Sequence, residues 1–260
     1  MDKWNNARQY ESYVGRWSRL TAIEFLKWLN QREGLIWLDV GCGTGALTEK
    51  ILNTQKPKKV IGVDPSESQL QFALENISDI RAEFYTAGAS QLPLETNSVD
   101  VIVSGLVLNF IPDIEHALGE LKKVARNGAV VSGYVWDYAG RMEMMRYFWD
   151  AAVSLYDDAA WKDEGVRFPM CNTESIDNLF KDAGFKSVEV IDIDIPTVFK
   201  DFDDYWTPFL SGVGPAPGYC MSLSEENRAR LKEKIYSSLP IKEDGSIHLI
   251  ATAIAVKGVK

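Results

Sequence analysis

Residues 38–45 read Leu38-Asp39-Val40-Gly41-Cys42-Gly43-Thr44-Gly45, three alternating glycines behind an aspartate. A glycine cluster between a strand and a helix lets backbone come close to a ligand at the helix N-terminus. Downstream stands Gly62-Val63-Asp64-Pro65-Ser66. An acid at the tip of a second strand can accept hydrogen bonds from both hydroxyls of a ribose. The two stretches together imply an adenosine-containing ligand across the strand tips. Gly41-x-Gly43-x-x-Ala46 also satisfies the dinucleotide pattern G-x-G-x-x-A. Asp39 separates the alternatives: a carboxylate there would repel a pyrophosphate and welcome an ammonium.

The elements that must hold these residues follow from hydrophobic patterning. Leu35–Val40 is a continuous apolar strand, Gly45–Leu52 a helix, Val60–Val63 a second strand, and Pro65–Asn76 a second helix with Ser66 as its N-cap. Strands over 81–86, 99–104 and 129–135 enclose a helix over 113–125. Val- and Ile-rich strands separated by helices predict a parallel sheet covered on both faces. After Asp137 the pattern changes. Helices are expected at 141–156, 174–183, 202–210 and 224–238, the last capped by Ser224. Strands are expected at 185–195 and 247–256, as an antiparallel edge; 157–169 and Gly212–Gly218 read as loops.

Among adenosine ligands, S-adenosylmethionine (SAM) carries the ammonium and lacks phosphate. At these residues the sequence resembles the class I SAM-dependent methyltransferases, in the group that includes ubiquinone and menaquinone biosynthesis enzymes. LDVGCGTG is similar to that family's first motif and VIGVDPS to its second. Ala87–Leu94 (AGASQLPL) is similar to the third and Ser98–Leu108 to the fourth. The resemblance covers about residues 35–136. It implies a Rossmann-like α/β fold: a seven-stranded, mostly parallel sheet with helices on both faces, the last strand antiparallel, plus helical lid elements. It also implies roles. Asp39 and the backbone of Gly41, Cys42 and Gly43 hold the methionine end, and Asp64 the ribose. Pro65 and Ser66 flank the adenosine, Gly88, Ala89 and Ser90 frame the adenine, and Ser104 to Leu106 lie under the sulfonium. The family usually has Asp where this chain has Gly88, which weakens the adenine contact or transfers it. The family often folds its N-terminal segment over the cofactor; Arg19, or second Arg16, is expected to pair with the SAM carboxylate.

The expected organisation is a single methyltransferase domain over 1–260. Residues 35–136 form the cofactor half; 1–30, 140–170 and 197–240 form the cap, lid and acceptor side. Asp137, Tyr138 and Asn109 are the candidates for catalytic or shaping groups near the strand tips. Cys42, Asp100, His116 and His248 read as structural. The DNA amino-, cytosine C5-, catechol- and arginine-methylating patterns are absent, which leaves a small, partly aromatic or apolar acceptor. A SAM-binding protein without catalysis and an NAD-dependent oxidoreductase remain as alternatives.

Bulk properties agree. The 260 residues carry 28 Lys and Arg against 37 Asp and Glu, a net charge of −9 that disfavours a nucleic-acid partner. Residues 137–204 hold 16 acids and 7 bases, so the surplus falls on the expected acceptor side and disfavours a strongly anionic acceptor, provided those acids face the cleft. Three cysteines and two histidines offer neither a disulfide framework nor a zinc site. No apolar run reaches the roughly 18 residues of a membrane span. A cytoplasmic protein, monomeric or homodimeric, is expected.

Overall fold

A computed structural model of the chain describes residues 15–260; residues 1–14 of the expected N-terminal cap lie outside them. The elements run α1 (Arg16–Leu29), β1 (Ile36–Val40), α2 (Ala46–Thr54), β2 (Lys59–Asp64), α3 (Glu67–Asn76), β3 (Ala82–Thr86) and β4 (Val99–Val103). Then come α4 (Ile114–Val124), β5 (Ala125–Trp136), α5 (Glu143–Leu155), α6 (Glu164–Arg167), α7 (Thr173–Asp182) and β6 (Lys186–Phe199). The chain closes with α8 (Phe202–Trp206), α9 (Pro215–Ser222), α10 (Glu225–Ser238) and β7 (Ile247–Val259). The strands form one seven-stranded sheet in the order β3-β2-β1-β4-β5-β7-β6. Pairs β1·β2, β1·β4, β2·β3 and β4·β5 are parallel, and the last strands are antiparallel. The order reverses at β1, with β2 on one side and β4 on the other. In such sheets the crevice for a ligand opens at the carboxyl ends of the strands on either side of that switch.

The chain forms two compact units. The first comprises 19–135, 172–193 and 254–260; the second comprises 136–171 and 194–253 with residues 15–18. The core of the first is the sheet centre. Trp37, Leu38, Val60, Val63, Val101, Ile102 and Val103 are at most 1 % exposed, because strands covered on both faces need apolar side chains at every position. The core of the second is aromatic. Phe148 stacks on Phe209 at 4.6 Å, and Trp149, Tyr205 and Phe199 are all fully buried.

Two expectations on the second unit are corrected. Gly212–Gly218 is not all loop: Gly214 (φ 94°) is the N-cap of α9, and Pro215 opens its first turn. Proline is tolerated there because the first helical N–H groups have no intrahelical partner. The 157–169 stretch contains the short helix α6, nucleated by Asp163, whose carboxylate accepts from the Gly165 N–H. Ser224 does cap α10 by accepting from Asn227 N–H, whereas Ser66 precedes α3 without a side-chain capping bond.

Candidate functional site

The site begins where β1 runs out. Gly41 and Cys42 both donate their N–H to the Val63 carbonyl, at 2.8 and 3.0 Å, so the loop folds back across the end of β2. Gly41 sits at φ 71°, and a Cβ there would stand 2.5 Å from the Val107 side chain. Only glycine permits both the left-handed backbone and that close approach. The loop delivers its open face to the N-terminus of α2.

Two carboxylates underlie this loop. Asp39 is 1 % exposed and accepts from the Thr48 hydroxyl of α2 at 2.7 Å. Burial pushes its carboxyl up to about 7, with Asp64 adding to the rise and Thr48 opposing it. Asp64 accepts from Gly43 N–H at 3.0 Å with one oxygen and from Ser66 N–H at 2.8 Å with the other. Burial raises its pKa too, and these bonds partly offset the rise. Asp64 therefore ties the glycine loop to the tip of β2 before any ligand arrives. Neither 39–45 nor 62–66 contains Lys or Arg. This pair of acceptors fits an ammonium and a ribose diol and is a poor receptor for pyrophosphate.

The remaining expected residues fall as follows. The Cys42 thiol is buried near Gly62, and burial holds it far above its ordinary value, as a filler requires. Pro65 is exposed and Ser66 half-buried beside it, its hydroxyl 3.1 Å from that of Ser68. Gly88 is exposed, and a Cβ there would meet nothing within 4 Å. Ala89 and Ser90 follow in a loop braced from α4. His116 Nε2 lies 3.2 Å from the Ser90 carbonyl, and Glu120 accepts from Leu92 N–H at 3.4 Å. The sequence reading missed this brace; its only signal was two polar residues four apart on one helix face. Ser104 is fully buried and donates its hydroxyl to the Val40 carbonyl at 3.0 Å, locking β4 to β1. Leu106 takes a left-handed backbone, φ 61°, unusual for a side-chain-bearing residue and stored at the strand tip. Asn109 lies in the single-turn 3-10 helix Leu108–Phe110 just beyond. Arg19 pairs with Glu49 at 3.3 Å. Asp100 accepts from Ile36 N–H and from Arg126, a structural clasp.

Asp137 and Tyr138 belong to the second unit. Both Asp137 oxygens are engaged in the turn after β5, accepting from Gly140 N–H and Arg141 N–H. Tyr138 is 5 % exposed, its ring 5.5 Å from Phe168. Several acids of 137–204 are likewise paired. Asp163 and Asp150 pair with Arg146, Asp194 with Arg141, and Asp204 with Arg16. Glu164, which the sequence did not single out, is 1 % exposed and accepts from the Trp149 indole N–H; burial pushes its carboxyl up to about 8. Among the described residues there is no cluster suited to a metal ion and no helix long and apolar enough to cross a membrane.

Fold and loop geometry define a Rossmann-like α/β protein with a glycine loop held between two buried acids at the strand tips. Residues 38–132 match the family described as methyltransferase domain. A demethylmenaquinone methyltransferase of Anoxybacillus flavithermus is 26 % identical over 205 residues, covering 73 % of this chain and 84 % of that protein. Two solved structures share the fold. One is a SAM-dependent methyltransferase from Aquifex aeolicus (TM-score 0.53, 17 % identity, 98 % of this chain and 95 % of that one). The other is phosphoethanolamine N-methyltransferase 2 of Haemonchus contortus in complex with SAM (TM-score 0.59, 18 % identity, 93 % and 52 %). The chain is a SAM-dependent methyltransferase with a Rossmann-like fold.

Proposed function

We propose that this protein methylates a small organic acceptor by in-line displacement at the sulfonium of SAM. The observation that carries the proposal is the pair of buried carboxylates, Asp39 and Asp64, beneath a glycine loop with no cation in it. SAM, when bound, supplies a methyl group on positively charged sulfur. The residues of this chain bind and orient. Asp39 attracts the methionine ammonium, the Gly41–Gly43 backbone lets that end come close, and Asp64 accepts from the ribose. Pro65 and Ser66 flank the nucleoside, and Gly88 to Ser90 frame the base. Ser104 and Leu106 shape the floor at the reacting end, Ser104 through its backbone because its hydroxyl is used on Val40. Charge on sulfur is dispersed as the methyl leaves, so alignment and exclusion of water supply much of the rate.

A dedicated base is needed only for an acceptor that must lose a proton. Asp137 is a weaker candidate than its sequence position implied, because its turn already uses both oxygens. Arg19 holds the SAM carboxylate only by leaving or sharing Glu49. Residues 1–30, 140–170 and 197–240 are assigned to the cap, lid and acceptor side. The relative acts, by its name, on demethylmenaquinone; a partly aromatic or apolar acceptor agrees with the absence of nucleic-acid and protein-methylating patterns here.

The test is conversion of SAM to S-adenosylhomocysteine (SAH) across a panel of neutral phenols, quinols and amines, alongside binding of SAM and NAD. Turnover with one class of acceptor supports the proposal. SAM binding without turnover on any acceptor favours a sensor or assembly role, and failure to bind SAM removes the proposed site.

A further inference from the structure

Buried polar atoms in folded proteins are almost always paired, and an exception calls for an explanation. Asn109 is such an exception twice over: its Nδ2 and its Oδ1 are both buried and neither has a hydrogen-bond partner. In the first unit, Trp37 Nε1 and Ser98 Oγ are also unpaired, but they lie within β1 and just before β4. Asn109 alone of these three lies beyond the carboxyl end of a strand, where ligands of such sheets bind. It follows the left-handed Leu106 by three residues, in the turn Leu108–Phe110. The turn does not need its amide, since Phe110 N–H bonds the Val107 carbonyl and Ile111 N–H the Leu108 carbonyl. Neighbouring polar groups are satisfied within the protein: Ser104 on Val40, Asp39 on Thr48.

We infer that Asn109 is a positioning residue for the methyl acceptor, and that the acceptor presents a neutral hydroxyl to it. A carboxamide offers two N–H donors and one carbonyl acceptor side by side and does not titrate near neutral pH. It pairs with a hydroxyl both ways, taking its proton in a hydrogen bond and donating to its oxygen, and cannot serve as a base. An ammonium or a carboxylate would leave half of the amide unpaired. The inference rests on the reading that SAM occupies the strand tips, and it narrows the acceptor class for that same site.

The experiment uses full-length protein loaded with SAH and two near-isosteric probes, 1-naphthol and 1-fluoronaphthalene, titrated by calorimetry or ligand-observed NMR. A hydrogen bond in a desolvated site corresponds to about a tenfold preference. Wild type is expected to favour 1-naphthol by about that factor. Asn109→Leu is expected to reduce the preference to about twofold or less while leaving SAH affinity unchanged. It should also leave Tm unchanged or raised, since an unpaired buried amide is replaced by an apolar group of similar size. Asn109→Asp, which still accepts from a hydroxyl, retains most of the preference. An equal preference in wild type and Asn109→Leu, or none in wild type, overturns the inference. Weakened SAH binding in the Leu variant reassigns Asn109 to the cofactor and overturns it as well. Wild type that fails to bind SAH defeats the underlying site, a distinct result seen before any probe is added.

Discussion

The buried Asp39 makes a quantitative prediction about cofactor affinity. Its carboxyl titrates near 7 in the free protein because burial disfavours the charged form. The ammonium of the ligand wants the carboxylate. Binding therefore draws on the ionised fraction, about half at pH 7 and about 3 % at pH 5.5. SAH affinity should accordingly fall roughly fifteenfold from pH 7 to pH 5.5. Complex formation at pH 7 should release about half a proton per ligand, since the ammonium holds Asp39 ionised once bound. Titration calorimetry in two buffers of different ionisation enthalpy counts that proton. Asp39→Asn keeps the shape and an acceptor for the Thr48 hydroxyl but removes the charge. It should bind SAH about 10- to 100-fold more weakly at pH 7.5, the loss of one charge-assisted hydrogen bond, and lose the pH dependence between 5.5 and 7. A wild-type Kd that is flat over this range with no proton released, or an Asp39→Asn variant with the wild-type pH profile, would refute the reasoning.

Glu164 tests the second unit. Its folded pKa of about 8 lies above its unfolded value of about 4.5, so the folded chain keeps a proton that the unfolded chain has released. Stability is then lost progressively as pH rises from about 4.5 to 8, by roughly 4–5 kcal/mol at most. Glu164→Gln still accepts from Trp149 and should raise Tm at pH 8 more than at pH 5; equal shifts at both pH values would show that burial does not govern this group. Gly88→Asp should fold normally, since its Cβ enters open space and the φ of Gly88 is not in the left-handed region. It should tighten SAH binding several-fold but leave the inosine analogue unaffected; no change for SAH means that position 88 does not face the adenine amino group. For the brace on the 88–92 loop, Glu120→Ala and His116→Ala should each weaken SAH binding about threefold to tenfold. His116→Gln, which keeps a donor, should restore most of it, and unchanged affinity in all three variants removes the brace from the account.

How much of this was legible in the sequence varies with the range of the interaction. Gly41, Gly43 and Gly45 announced themselves because left-handed backbone and close approach are local demands met by one residue type. Asp64 at the tip of β2 was legible for the same reason, since strand end, acid and Pro65 are contiguous. The alternation of Val- and Ile-rich strands with helices was enough to identify a parallel sheet, because both faces of each strand must be buried. The cap at Ser224 was likewise local. In contrast, Gly212–Gly218 read as loop because a Gly- and Pro-rich stretch ordinarily breaks regular structure, whereas Pro217 and Gly218 lie in a helix with a buried face, α9.

By itself, then, the sequence determined the cofactor class: a carboxylate before a glycine loop and another at the next strand tip, with no cation to receive a phosphate. Tertiary structure decided what those side chains are free to do. The ordinary affinity of a carboxylate for protons is set by water, and only the fold removes water from Asp39 and Glu164. Likewise, whether a polar group is available depends on partners far away in the chain. Asp137 is consumed by its own turn and Ser104 by Val40, while Asn109 is left with nothing to bond. Hydrogen-bond satisfaction is a property of assembled neighbours, so the sequence could name Asn109 beside Asp137 and Tyr138 but could not tell which of the three keeps its polar atoms unpaired.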